Sequence, residues 1–260
     1  MKGIVKKIRL IARLDVKDEY LVKGIQYEGL RKLGDPHDFA LRYYQSGIDE
    51  LLYLDTVASL YGRNNLSDIL RRATADVFIP ITAGGGLRSV RDVGALLRAG
   101  ADKAAVNTAA IKKPGLITEV AQAYGSQCMV LSIQAKRRSP LDPAQGWEAY
   151  YDNGREHSGL DAVAWAKEGA ARGAGEILLT SVDQEGLRRG MDEDLIAAVC
   201  AAVDVPVIAA GGARDGRDAA GAARAGASAV AVASALHYGG KTVPQLKQEA
   251  RDGGVEVRNV

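Results

Sequence analysis

The chain repeats itself over half of its length. The segment 85–109, GGLRSVRDVGALLRAGADKAAVNTA, recurs at 211–235 as GGARDGRDAAGAARAGASAVAVASA, a constant offset of 126 residues. The same offset relates Glu50 to Glu176. Self-similarity at a fixed period indicates a fold assembled from equivalent structural units, so both halves are expected to have the same architecture.

Each half alternates short apolar runs with amphipathic stretches rich in alanine and leucine. Runs such as ELLYLD (50–55) and EILLTSVD (176–183) are continuously apolar, which is typical of parallel strands buried on both faces. Eight such runs fit the size of a (β/α)8 barrel, about 250 residues. We therefore predict an α/β fold, a (β/α)8 TIM barrel built from two half-barrel repeats, roughly 1–125 and 126–260, forming a single domain over 1–260. A doubly wound open sheet is the alternative.

Composition excludes several classes of function. The net charge of +2 does not favour a nucleic-acid or membrane-surface partner, and no apolar stretch reaches the ~20 residues of a membrane helix. Cys128 and Cys200 lack the spacing of a metal or redox motif and are interpreted as small buried thiols, so a cytoplasmic location is predicted. The three histidines are scattered, and neither a metal nor a cofactor is expected.

Two glycine-rich turns predict phosphate binding at the carboxyl ends of the strands, where barrels of this type carry their chemistry. AGGG (83–86) and NT (107–108) have the repeat partners AGG (210–212) and AS (233–234). Glycine lets backbone N–H groups approach an anion closely. Two copies predict a substrate with a phosphate at each end, although turn geometry alone is the alternative. The predicted phosphate-binding residues are Gly85, Gly86, Asn107, Thr108, Thr180, Gly186, Gly211, Gly212, Ala233 and Ser234.

Asp15 is the candidate general base, because it ends the first strand between the two predicted phosphate sites. A capping role for its carboxylate is the alternative. Lys23, in the segment after that strand, is predicted to cover the substrate, and a solvated lysine is an equally good interpretation.

Gln134 occupies the position equivalent to Asp15 in the second half, at an offset of 119 residues. The difference of seven residues from the main offset fits a longer loop in the second half, 137–154, which is predicted to form a hairpin. A glutamine amide has no proton to exchange near neutral pH, so it cannot replace a carboxylate in acid–base chemistry.

Four charged residues lie at the opposite ends of the strands: Arg9, Glu50, Lys103 and Glu176. Charges inside a barrel are costly unless they are paired. Two acids and two bases could form a compensated ring around the barrel floor, and ordinary surface salt bridges are the alternative.

Specific motifs are distributed along the whole chain, among them LDVKDEYLVKG (14–24), GIDEL (47–51), GADK (100–103), GAGEILLTSVD (173–183) and PVIAAGGA (206–213). With these motifs the chain resembles the HisF family, the cyclase subunits of imidazole glycerol phosphate synthase, over essentially its whole length. The resemblance implies a HisH-like glutaminase docked on the barrel floor as a heterodimer partner, with ammonia passing through the barrel to a bis-phosphorylated or related small substrate. It also implies that Arg9, Glu50, Lys103 and Glu176 gate the ammonia, and that Asp102 contacts the glutaminase.

The resemblance fails around the predicted active site. Family members use two aspartates, of which Asp15 matches the first and Gln134 replaces the second. Further departures lie at the same end of the barrel: Arg13 replaces a small residue, Glu185 an aspartate, Leu187 a threonine and Ala210 a serine. The pattern indicates an altered substrate pocket above an unaltered floor.

Three functions are compatible with this pattern. The chain could be a HisF-like subunit that delivers ammonia to an acceptor outside histidine biosynthesis, as in the amidino-sugar formation associated with some paralogues. It could be an authentic cyclase in which Gln134 orients the substrate. It could also be a non-catalytic conduit that activates the glutaminase.

Overall fold

A computed structural model describes residues 7–58 and 66–259 as a helix-covered barrel. Its strands are β1 Arg9–Lys17, β2 Tyr20–Ile25, β3 Glu28–Gly34, β4 Glu50–Asp55, β5 Ile81–Gly84, β6 Lys103–Val106, β7 Met129–Arg137, β8 Trp147–Tyr151, β9 Glu156–Asp161, β10 Glu176–Ser181, β11 Val207–Ala210 and β12 Ala229–Val232. Within the described residues, eight strands pair in parallel in the order β1, β4, β5, β6, β7, β10, β11 and β12, and β12 pairs with β1. The predicted (β/α)8 barrel is confirmed, and the alternative of an open sheet is wrong.

Helices cover the outside of the barrel. They are α1 Pro36–Gln45, α2 Leu66–Asp76, α3 Val90–Arg98, α4 Thr108–Lys112, α5 Gly115–Tyr124, α6 Ala162–Ala171, α7 Glu193–Ala202, α8 Gly216–Arg224, α9 Ser234–His237 and α10 Val243–Asp252. Several begin at side chains that accept hydrogen bonds from the first turn, as Asp35 does at α1 and Asp161 does at α6. Their apolar faces pack on the strands, with Trp165 of α6 among the largest buried side chains. In the described residues, no helix is long and apolar enough to cross a membrane.

Two antiparallel hairpins extend the barrel at the carboxyl ends of its strands. The hairpin β2–β3 folds back on β1, where Val16 pairs with Leu21. The hairpin β8–β9 continues from β7, where Gln134 pairs with Tyr150, so the predicted hairpin is present but extends beyond 137–154 to Asp161. The first hairpin was not predicted, and it carries Lys23 into the barrel mouth.

Alternate residues of β1 face the interior and show how the barrel is layered. Arg9 lies in a charged layer at the floor, and Ile11 lies in an apolar layer above it. Arg13 and Asp15 follow in the mouth and are almost completely buried. One strand therefore contributes to every level of the interior, from the floor to the site at the carboxyl ends.

Candidate functional site

Asp15 lies at the barrel mouth with both carboxylate oxygens held by cations. Arg13 Nε donates to Asp15 Oδ1 at 2.8 Å, and Lys23 Nζ donates to Oδ2 at 2.9 Å. Burial alone would raise the pKa of Asp15, but the charges and hydrogen bonds of these two neighbours outweigh it and lower the pKa to about 2. This carboxylate is therefore a poor proton acceptor near neutral pH.

Glu185 completes a buried charge cluster, which we define as Arg13, Asp15, Lys23 and Glu185. The Lys23 ammonium also contacts the Glu185 carboxylate, and Arg13 Nη1 lies 3.4 Å from Glu185 Oε2. The Arg13 side chain is 1% exposed and Lys23 is equally enclosed, so the interpretation of Lys23 as a solvated lysine is wrong. Two cations and two carboxylates balance, as buried charges must.

The hairpin β2–β3 closes over this cluster. Arg13 Nη2 donates to the hydroxyl of Tyr27 at 3.2 Å, and Tyr27 is a buried residue of the hairpin turn itself. The backbone N–H of Gln26 donates to the carbonyl of Glu185 at 3.0 Å, which ties the hairpin tip to the loop after β10. The hairpin is thus a fixed cover over one side of the mouth.

Gln134 lies in β7 on the other side of the mouth and leaves its side-chain carbonyl oxygen unpaired. The residue is only 9% exposed, and within the described part of the chain no donor reaches Gln134 Oε1. Gln134 and Ser132 line a cavity of about 420 Å³, together with Asn107, whose Oδ1 is also buried without a donor in the same ranges. Buried polar atoms in this state are uncommon and are most simply satisfied by a ligand.

The two predicted phosphate turns have the same construction. A Cβ on Gly85 would lie 2.4 Å from the carbonyl oxygen of Asp55, and a Cβ on Gly211 would lie 2.4 Å from that of Ser181. Both residues have φ near +100°, so glycine is required by backbone geometry alone. The alternative of turn glycines therefore explains these residues without a ligand, and evidence for binding must come from the cavities.

The cavities at the two turns differ greatly in size. Gly85, Gly86, Asn107 and Thr108 line the cavity of about 420 Å³ that also contains Gln134. Their repeat partners Gly211, Gly212, Ala233 and Ser234 line a second cavity of about 20 Å³, together with Gly186. Arg13 borders both cavities, and Thr180 is buried on β10 with 1% exposure. The structure thus brings the predicted phosphate-binding residues together at one barrel mouth. Only the set around the first glycine turn has a large cavity beside it.

Asp152, in the turn between β8 and β9, already contacts the residues around the larger cavity. Its carboxylate accepts from Thr108 Oγ1 at 3.2 Å, and its backbone N–H donates back to that oxygen at 3.1 Å. Lys112 Nζ lies 3.5 Å from the same carboxylate. An anion bound at Thr108 would therefore have this negative charge as a neighbour.

The charged ring spans the floor of the barrel. Arg9 joins the two acids, with Nη1 at 2.5 Å from Glu50 Oε1 and Nη2 at 2.5 Å from Glu176 Oε1. Lys103 Nζ lies 2.6 Å from Glu176 Oε2 and 3.7 Å from Glu50 Oε2. Because these residues start four strands on different sides of the barrel, the alternative of ordinary surface salt bridges does not describe them.

An apolar layer separates the ring from the mouth. Its members are Ile11, Leu52, Ala105, Val130, Leu178, Ile208, Ala210, Ala229 and Ala231, all of them buried. Charged species are strongly disfavoured in such a layer, whereas a small neutral molecule is not. The interior therefore has a charged floor, an apolar middle and a polar mouth.

Asp102 is exposed on the floor side, before β6, as its predicted role requires. Its Oδ2 accepts from the backbone N–H of Ile81 at 2.7 Å, which anchors the start of β5. The Asp102 carboxylate is therefore exposed and also stabilises the backbone at the start of β5.

His237 lies beneath the charge cluster and was not predicted to belong to the site. Its Nε2 is 2.8 Å from the carbonyl of Arg13, and its Nδ1 is 2.7 Å from the hydroxyl of Tyr43. Burial, with the nearby charge of Lys23, lowers the pKa of His237 to about 4, so the ring is neutral at pH 7. In the described ranges, no group of three or more His, Cys, Asp and Glu residues is arranged to hold a metal ion.

Comparison with known proteins identifies the family. The model of the family described as "Histidine biosynthesis protein" matches residues 9–242. A protein of Legionella pneumophila named imidazole glycerol phosphate synthase subunit HisF is 57% identical over 209 residues, 80% of this chain and 96% of its own length. Proteins with the same name from Mycobacteroides abscessus and Myxococcus xanthus are 50% and 48% identical, over 96% and 97% of this chain and 98% of their own lengths. The chain therefore belongs to the HisF family of histidine biosynthesis proteins.

Proposed function

We propose that this chain is a HisF-like synthase subunit that receives ammonia from a glutaminase and delivers it to an acceptor outside histidine biosynthesis. The observation that carries the proposal is the state of the two strand ends where acid–base groups are expected. Asp15 is held by Arg13 and Lys23 with its pKa lowered to about 2, and position 134 carries an amide. General acid–base help is typically worth about 10²–10⁴-fold, and neither residue is in a state to supply it.

The proposed ammonia route follows the layers of the interior. Ammonia would enter from a HisH-like glutaminase at the floor, pass the ring of Arg9, Glu50, Lys103 and Glu176, and cross the apolar layer as the neutral molecule. An apolar passage excludes ammonium far better than ammonia, because the cost of burying a charge is much larger than that of burying a small dipole. Amidino-group formation on a sugar is one reaction that would use such a supply.

An authentic cyclase is the second candidate, and sequence identity favours it. Relatives that are 48–57% identical carry the name imidazole glycerol phosphate synthase subunit HisF. In that case Gln134 would orient the substrate, and Asp15 would have to lose its ion pairs when the substrate binds. A non-catalytic conduit, the third candidate, is favoured only by the complete floor ring.

We expect the purified chain to turn over the phosphoribulosyl-formimino carboxamide substrate of imidazole glycerol phosphate synthase poorly. With ammonium salt as the nitrogen source, its rate should be below about one hundredth of that of the Mycobacteroides abscessus relative, because one acid–base group is absent and the other is ion-paired. Product formation at saturating ammonium measures this without a glutaminase. Equal rates for the two proteins would establish the cyclase and remove the proposal.

The floor ring is expected to control a glutaminase partner. Stimulation of a HisH-like glutaminase from the source organism should fall by about tenfold or more in Lys103→Ala, because Glu176 loses its 2.6 Å partner and the ring opens. Lys167→Ala, which alters an exposed lysine on α6, is the matched control and should stimulate normally. If no HisH-like glutaminase binds the unaltered chain at micromolar concentrations, the partner claim is wrong.

A further inference from the structure

The two halves of the barrel mouth have equivalent turns but unequal space. The cavity beside Gly85, Gly86 and Thr108 measures about 420 Å³, which lies within the usual range for small-ligand sites. The equivalent cavity beside Gly211 and Ser234 measures about 20 Å³, which is room for about one water molecule. The repeat predicts two phosphate sites, but only one of the two turns has a cavity of ligand size beside it.

Two features crowd the smaller cavity: Arg13, and the loop after β10, which lines it with Glu185, Gly186 and Arg188. The Arg13 guanidinium borders both cavities, and Asp15, Glu185 and Tyr27 hold all three of its nitrogens. Lys23 joins both carboxylates from the hairpin β2–β3, so the hairpin is held over the same side. Opening the second cavity would require breaking this balanced buried charge cluster, which is costly.

The open side contains polar groups that remain to be satisfied. Gln134 Oε1 and Asn107 Oδ1 are buried beside the large cavity, and no donor in the described ranges reaches either of them. Lys112 and Lys113 border the same cavity, where Lys112 also pairs with Asp152 at 3.5 Å and Lys113 with Glu119 at 2.7 Å. A ligand that satisfies these groups has an anionic end near the lysines and an O–H or N–H donor near Gln134.

We propose that the acceptor carries a single phosphate, bound between Gly85–Gly86 and Thr108, and offers a hydroxyl or amino donor to Gln134. Arg13 is then a specificity-determining residue, because it crowds the turn at Gly211 and Ser234, where a second phosphate would gain no binding. This rests on the proposed acceptor outside histidine biosynthesis, and it narrows that acceptor to small monophosphates such as sugar phosphates.

Asp152 gives the proposal an independent readout. Its carboxylate lies 3.2 Å from Thr108 Oγ1, so a phosphate oxygen that contacts the same hydroxyl would lie within about 6 Å of it. Two negative charges at that separation repel each other. Replacing this carboxylate with a neutral amide should therefore tighten phosphate binding, a change that damage to the fold would not produce.

The test is isothermal titration calorimetry with two probes, ribose 5-phosphate and ribulose 1,5-bisphosphate. Ribose 5-phosphate should bind one site per chain, and the bisphosphate should bind no more tightly. Thr108→Val should weaken ribose 5-phosphate about tenfold or more through loss of a hydrogen bond to a charged group, and Asp152→Asn should tighten it severalfold. Ser234→Ala, the repeat-related change on the closed side, should alter the dissociation constant by less than about twofold.

Three results would overturn the proposal: no binding of ribose 5-phosphate at millimolar concentration, bisphosphate binding at least tenfold tighter, or equal losses in Thr108→Val and Ser234→Ala. Failure of the proposed function would be seen separately, as turnover of the histidine-pathway substrate at the rate of the relative. If the binding test fails and the histidine-pathway substrate is still not turned over, the proposed function stands. Only the assignment of a monophosphate acceptor is then wrong.

Discussion

The double variant Arg13→Ala/Gln134→Asp is expected to form product from ammonium and the phosphoribulosyl-formimino carboxamide substrate at least about a hundredfold faster than the unaltered chain. The change supplies a second carboxylate at position 134 of β7 and removes the guanidinium that lies 2.8 Å from Asp15 Oδ1. It also opens the space between the two phosphate turns. General acid–base catalysis typically contributes about 10²–10⁴-fold to a rate. The rate gained by restoring both groups should therefore be measurable above the low rate of the unaltered chain.

Neither single variant should recover comparable activity. In Gln134→Asp, Arg13 still fills the closed side of the mouth and still holds the pKa of Asp15 low. In Arg13→Ala, the substrate would have space but no second acid–base group. Residues that act as a unit give strongly non-additive effects on rate. The rate gain of the double variant should therefore exceed the product of the gains of the two single variants.

The control for this experiment preserves the charge balance of the cluster. Removing Arg13 leaves one cation, Lys23, facing two carboxylates, so the same double change is also made with Glu185→Gln. Thermal melting of each variant verifies that it is folded. Full recovery in Gln134→Asp alone would show that Arg13 does not block the site, and it would contradict the structural argument.

The barrel was predictable from the sequence because it depends on patterns that the chain carries twice. Continuous apolar runs indicated buried parallel strands, and the repeat between 85–109 and 211–235 indicated two equivalent halves. Side-chain alternation along a strand also places residues two apart on one face, as Arg13 and Asp15 are in β1. These features are local, since they need only strand periodicity and the position of a residue along its strand.

The closure of the mouth was not predictable in the same way, because it depends on contacts distant in sequence. Arg13 meets Glu185 across 172 residues, and Lys23 reaches the same carboxylate only because an unpredicted hairpin folds over the mouth. No periodicity encodes such a meeting. The repeat predicted two equivalent phosphate sites, whereas the cavities beside the two turns differ in volume, about 420 Å³ against about 20 Å³.

The variant Lys23→Met is expected to lose about 3–5 kcal/mol of unfolding free energy at pH 7. Lys23 contacts both Asp15 and Glu185, and its removal leaves two buried carboxylates with one cation. Breaking a buried ion pair by removing one partner typically costs this amount, because a charge remains without compensation. Urea unfolding followed by circular dichroism measures the loss, and Lys17→Met, on the exposed end of β1, should change stability by less than about 0.5 kcal/mol.

The dependence of this loss on pH separates charge from packing. The pKa of Asp15 is lowered from 3.8 to about 2, so in the unaltered chain it stabilises the fold above pH 3.8, and that contribution disappears as pH falls through about 2. Without Lys23 the pKa of Asp15 rises, and acid can neutralise the uncompensated charge. The difference in stability between Lys23→Met and the unaltered chain should therefore shrink as pH is lowered from 7 toward 4. A difference that stays constant over this range would mean that Lys23 contributes through packing of its methylene chain, and that the buried charge cluster does not control the stability of the mouth.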